Sequence, residues 1–156
     1  MVEAGLAVEV RFYHLTRTAL EQALPEVLEK VIARGWRAVV LTGSPERAEA
    51  LSHALWTHGR DSFLPHGTAR DGAAAAQPVW ITPEDENPNQ ASVLIVTDGA
   101  DSRLDGYALR CEFFDDRDEA AVAVARQRWR DCTAAGRTVQ YYRQSASGWE
   151  SVSDDR

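Results

Sequence analysis

Two short, uninterrupted apolar runs constrain this chain most. Ala38-Val39-Val40-Leu41-Thr42 and Ser92-Val93-Leu94-Ile95-Val96-Thr97 show no alternation of polar and apolar residues. A strand with one wet face alternates, whereas a strand covered on both faces does not. Residues 8–15, 79–82, 109–114 and 138–143 also read as strands, rich in β-branched and aromatic side chains. Between them lie segments of helical periodicity. Residues 18–34 carry Leu20, Leu24, Val27, Leu28, Val31 and Ile32 at helical spacing, and Gly35 stops the run. Pro25 either kinks that helix or starts its regular part. Ser44 and Pro45 open a second helix ending near Trp56, and Asp115 or Asp116 caps a third that runs to about Ala135. Strands alternating with helices imply a largely parallel sheet with helices on both faces.

A chain of 156 residues is the size of one domain. The domain is expected over residues 8–145, with residues 1–7 and 151–156 as flexible termini. Residues 59–77 and 83–90 read as loops. No apolar run approaches the roughly 20 residues of a membrane span, and the first residues lack the pattern of a signal peptide. Cys111 and Cys132 make a weak case for a disulfide, so a reducing cytoplasm is expected. The formal net charge of −7 argues against nucleic acid as the main partner. Lys30 is the only lysine. The other cations are arginines, which grip carboxylates bidentately.

The usual chemistry of alternating α/β chains is missing. After the first strand, Leu15-Thr16-Arg17-Thr18 stands where a dinucleotide fold carries G-x-G-x-x-G, and no phosphate loop is present. Gly43-Ser44-Pro45 could hold an anion at a helix N-terminus, but an ordinary strand-to-helix turn explains it better. His14, His53, His58 and His66 lack metal-ligand spacing and read as surface or interface residues. Ser44 and Ser102 lie in no nucleophile elbow. Asp98 and Asp101 follow a buried strand, where α/β sheets bind ligands. They read either as turn residues or as a magnesium-binding pair in a small hydrolase or phosphotransferase. No catalytic residue, metal or cofactor is otherwise expected.

Two constellations point to protein partners instead. Trp56 lies about 100° from Leu55, away from the apolar stripe of Ala48, Leu51 and Leu55. Either the following loop, with Phe63, Leu64 and Pro65, folds over it, or a partner covers it. Further on, Arg126, Trp129 and Arg130 can meet on one surface of the late helix, with Trp129 at the edge of its alanine-rich face. This is either a solvated helix face or a site for an acidic peptide ending in a bulky apolar residue with a free carboxylate.

The order of Ala54-Leu55-Trp56, Ser62-Phe63-Leu64-Pro65-His66-Gly67 and Ala125-Arg126-Gln127-Arg128-Trp129-Arg130 resembles the chi subunit family of bacterial DNA polymerase III. The opening Val10-Arg11-Phe12-Tyr13-His14-Leu15 and Phe113-Phe114-Asp115 fit too, so the resemblance spans nearly the whole chain. It implies a single-domain, Rossmann-like three-layer α/β fold without a nucleotide site. It also implies a non-catalytic accessory subunit of the polymerase complex. Its partners would be the psi subunit or another clamp-loader component, and the acidic, phenylalanine-ended C-terminal tail of single-stranded DNA-binding protein. By family position, Arg126, Trp129 and Arg130 match the tail-binding surface, and Trp56, Phe63, Pro65 and His66 match the psi-facing one. Trp129 replaces a frequent family tyrosine. Val122 stands where a family lysine adds charge, so attraction there is expected to be weaker.

Overall fold

A computed structural model describes residues 9–57 and 64–152. Along the chain these form β1 (Glu9–Leu15), α1 (Leu20–Ala33), β2 (Ala38–Leu41), α2 (Pro45–Trp56), β3 (Gly67–Thr68), β4 (Val79–Thr82), β5 (Val93–Val96), β6 (Leu109–Asp115), α3 (Glu119–Ala134), β7 (Thr138–Ser145) and β8 (Gly148–Ser151). The strands make one sheet in the order β3-β4-β2-β5-β6-β1-β7-β8. All pairings are parallel except the last, β7 with β8.

The apolar runs sit where their composition requires. Every residue of β2, β4 and β5 is buried. One face of the sheet packs against α1 and α2 through Tyr13, Val40, Ile81, Ile95 and Phe113. The other packs against α3 through Val10, Phe12 and Phe114, and against loops through Trp80, Leu94 and Tyr107. This is the three-layer α/β arrangement expected from the alternating pattern. Cys111 belongs to the first face and Cys132 to the second, so the sheet separates them and both are free thiols. No helix among the described residues is long and apolar enough to cross a membrane.

Local signals set some element ends. The Ser44 hydroxyl accepts from Arg47 N at 3.1 Å, with Pro45 at the first helical position. Other ends differ from the expectation. Pro25 lies inside α1, buried, so of the two expectations it does not start the helix's regular part. The cap of α3 is Asp118, whose carboxylate accepts from Ala121 N at 3.1 Å, rather than Asp115 or Asp116. The reason is non-local: pairing with β1 holds β6 as far as Asp115, opposite Leu15, so the helix starts three residues later. The segment read as a loop over residues 59–77 contributes β3 and a 3-10 turn at Ala74–Ala76. The sheet also continues past residue 145, because Gly148, at φ +129°, lets β8 fold back on β7 as far as Ser151. Residues 1–8 and 153–156, which include most of the expected flexible termini, lie outside the described residues.

Candidate functional site

The carboxyl ends of the parallel strands are where open α/β sheets usually place ligands. Here the chain's own side chains occupy the turns after β1 and β2, and beside them a hollow of about 240 Å³ is lined by Leu15, Glu21, Arg47, Asp98, Phe114 and Asp115. The N–H groups of Thr16, Arg17 and Thr18, between β1 and α1, all donate to Gln144 Oε1 at 3.0, 2.8 and 3.0 Å. Gln144 Nε2 donates back to Thr18 Oγ1 at 2.7 Å. After β2, Gly43 N donates to Asp98 Oδ2 at 3.1 Å. A Cβ at Gly43 would lie 3.1 Å from Asp98 Cβ, so the glycine permits this approach.

Asp98 and Asp101 do not share a site. Arg47 Nε donates to both Asp98 oxygens at 3.3 Å. Asp101 Oδ1 instead receives Arg110 Nη2 at 2.7 Å. Burial pushes the Asp101 pKa up, but Arg110 and Arg128 outweigh it and hold the carboxyl below its ordinary value. Among the described residues no group of three or more His, Cys, Asp or Glu side chains could hold a metal ion.

His14, read as a surface or interface residue, is buried. Its ring stacks on Phe114 at 4.6 Å and bridges Asp116 Oδ1 (2.8 Å) to the Tyr141 hydroxyl (2.9 Å). His66 is buried too. Its Nδ1 donates to Leu64 O at 2.7 Å, and its Nε2 lies 3.2 Å from both the hydroxyl and the carbonyl oxygen of Ser52. The His66 ring then supports the indole of Trp56, with centroids 4.7 Å apart. Trp56 nevertheless keeps 55% of its surface exposed. Pro65 beside them is half-buried. His58 and Phe63 lie outside the described residues.

On α3, Arg126 and Arg130 are exposed one turn apart. Arg130 Nη2 donates to Gln127 Oε1 at 2.9 Å, and Arg126 meets no carboxylate among the described residues. Trp129 departs from its expected place at the edge of the helix face. It is only 9% exposed, edge-on to Phe12 at 5.7 Å and to Tyr141 at 5.6 Å. The cause is helical geometry: Trp129 is one turn beyond buried Ala125 and falls on nearly the same line. The indole therefore forms part of the core, packed against β1 and β7.

A sequence model of the family described as "DNA polymerase III chi subunit, HolC" matches residues 8–140. The chain belongs to the DNA polymerase III chi subunit family. It is 37% identical to the "Probable DNA polymerase III subunit chi" of Rickettsia prowazekii (strain Madrid E) over 89 residues, 57% of this chain and 54% of that one. It is 29% identical to the "DNA polymerase III subunit chi" of Escherichia coli (strain K12) over 79 residues, 50% of this chain and 54% of that one. The chain thus spans about half the length of the curated relatives it matches.

In this member of the chi family, α3 is locked to the sheet by an ion cluster that no sequence motif signals. Glu112, on β6, has a side chain only 6% exposed. Its Oε2 receives Arg110 Nε at 2.8 Å and its Oε1 receives Arg128 Nη1, from α3, at 2.7 Å. Arg128 also donates to Gly99 O at 3.3 Å. A buried carboxylate with two guanidinium partners sets how far α3 can rotate, and so where Arg126 and Arg130 point.

Proposed function

We propose that this chain is the accessory subunit that links the clamp loader of DNA polymerase III to single-stranded DNA-binding protein in the cytoplasm, without catalysing a reaction itself. The observation that carries this reading is Arg126. Arg126 and Arg130 are exposed one turn apart beside Trp129, and neither faces a carboxylate among the described residues, whereas Arg128 on the same helix is held by Glu112. In a chain of net charge −7, an unneutralised guanidinium beside Arg130 suits a carboxylate-rich peptide.

The acidic C-terminal tail would pair with Arg126 and Arg130. Its terminal phenylalanine would rest on the edge of Trp129, in the seam where Val122, Val139 and Tyr141 are partly buried. Trp56, supported by His66, suits an aromatic anchor for a partner and would be the surface for psi or another clamp-loader component, with Pro65 and Phe63 assigned there by family position. Val122 lacks the charge of the family lysine, so electrostatic attraction to the tail rests on the two arginines.

The test is a titration of a fluorescent acidic tail peptide ending in phenylalanine into wild-type protein and Arg126→Ala. Exposed ion pairs typically contribute about 0.2–1 kcal/mol, so the variant should bind about 1.4- to fivefold more weakly at low salt. Added salt should narrow the gap. Equal affinities at low salt would overturn the assignment. A magnesium-dependent hydrolase or phosphotransferase is disfavoured because Asp98 and Asp101 are engaged by different guanidinium groups.

A further inference from the structure

On the face of the sheet opposite α3, a cavity of about 250 Å³ opens between α1 and the strands β1, β6, β7 and β8. Its floor is apolar and aromatic. Tyr13 stacks on Tyr142 at 5.3 Å and meets Trp149 edge-on at 5.1 Å. Its rim is cationic, with Arg11, Lys30 and Arg34 in the lining and no carboxylate among the lining residues. Glu9 engages Arg11 at 2.7 Å from outside that lining. Lys30, in the last turn of α1, and Arg34, at its C-cap, meet no carboxylate among the described residues. Arg34 lies 5.1 Å above the ring of Trp36, which is 41% exposed.

The sole lysine and two arginines therefore gather around one apolar hollow in an acidic protein. Small-molecule sites run from about 300 to 1,000 Å³, so this cavity is too small for an ordinary cofactor. It suits a single bulky side chain. Three cations around one hollow also fall short of the extended basic track that follows a nucleic-acid backbone. From the charge, the size and the aromatic floor, we infer that this pocket docks an acidic segment of a partner protein, which inserts one large apolar side chain between its carboxylates. The pocket lies on the opposite face from Arg126, so it is separate from the surface assigned to the tail and does not depend on that assignment.

The test uses a labelled peptide, acetyl-Asp-Asp-Ala-Phe-Asp-Asp-amide, which has no free terminal carboxylate. Its binding to the full chain is followed by fluorescence polarisation. Wild-type protein and Arg126→Ala should bind it equally. Lys30→Glu combined with Arg34→Glu should weaken it at least tenfold while lowering the thermal midpoint by only a few degrees, since both side chains are exposed and the fold loses only the favourable charge at the end of α1 and the Arg34–Trp36 contact. Replacing the peptide phenylalanine by alanine should weaken binding to wild type comparably. Undiminished binding to the double variant would overturn the inference, as would no wild-type binding at millimolar peptide. Two further outcomes would also overturn it. One is full competition by inorganic phosphate, which would reduce the pocket to a simple anion site. The other is tighter binding of an oligothymidylate that the double variant loses, which would assign the rim to nucleic acid.

Discussion

Replacing Gln144 by alanine removes the acceptor shared by three backbone N–H groups and the donor to Thr18 Oγ1. A net hydrogen bond contributes about 0.5–1.5 kcal/mol. Thr16 and Arg17 are exposed, so water replaces much of what is lost and the low end of that range applies. Gln144→Ala should then destabilise the domain by about 1–2 kcal/mol, or lower its thermal midpoint by about 2–8 °C for a chain of this size. Gln144→Glu separates the role of this amide from simple packing. A carboxylate still accepts from all three N–H groups and adds negative charge before α1, worth about 0.3–1 kcal/mol. Glu26, which lines the same hollow, subtracts from that gain. At pH 7 the glutamate variant should match or exceed wild type. The N–H groups would lower the introduced carboxylate's pKa in the folded state. Its contribution is therefore present above the unfolded value of about 4.3 and lost as pH falls through the lower folded value. Calorimetric scans of the three proteins at pH 7 and pH 3 measure this. A midpoint for Gln144→Ala within 1 °C of wild type would refute the reasoning, as would Gln144→Glu melting below Gln144→Ala at pH 7.

Glu112→Gln would leave Arg110 and Arg128 facing each other without the buried carboxylate. The expected loss is about 3 kcal/mol, the low end for a broken buried pair because Arg110 keeps Asp101, and the midpoint of urea unfolding reports it. A loss below about 1 kcal/mol would mean that the cluster does not hold α3. Asp101→Asn probes a carboxyl whose folded pKa is depressed. Its stabilisation is present above the ordinary value of 3.8 and disappears as pH falls through the lower folded value. The stability gap between variant and wild type should therefore be widest at neutral pH and close in acid; a gap that widens in acid contradicts the assignment. Trp56→Ala should leave tail-peptide binding unchanged and cost only a few degrees of thermal midpoint through the lost His66 contact, while abolishing co-purification with clamp-loader components. Loss of all three together would indicate misfolding.

The parts of the fold legible in the sequence were those decided by residues close together in the chain. Continuous burial of β2 and β5 follows from runs without a polar member, and the start of α2 from Ser44 and Pro45 side by side. The parts misread depended on distant partners. Asp115 looked like a cap, but strand pairing to Leu15 claims it first. β3 has only two residues and exists because β4 lies beside it. The candidate surfaces divide in the same way. Helical spacing put Arg126 and Arg130 together on the exposed side of α3. It did not say that Trp129 would be drawn inward by Phe12 and Tyr141, which come from strands more than a hundred residues apart in the chain.

The order of apolar and polar residues, read alone, determined that this chain makes a mostly parallel sheet with helices on both faces, because burial and helical period are written in neighbouring residues. Only the tertiary structure decided that Gln144 fills the first strand-to-helix turn, that Glu112 ties α3 to the sheet, and that cations on α1 rim an aromatic hollow. Each of those depends on side chains that meet only after the chain has closed, at distances of a few ångströms that no local pattern encodes.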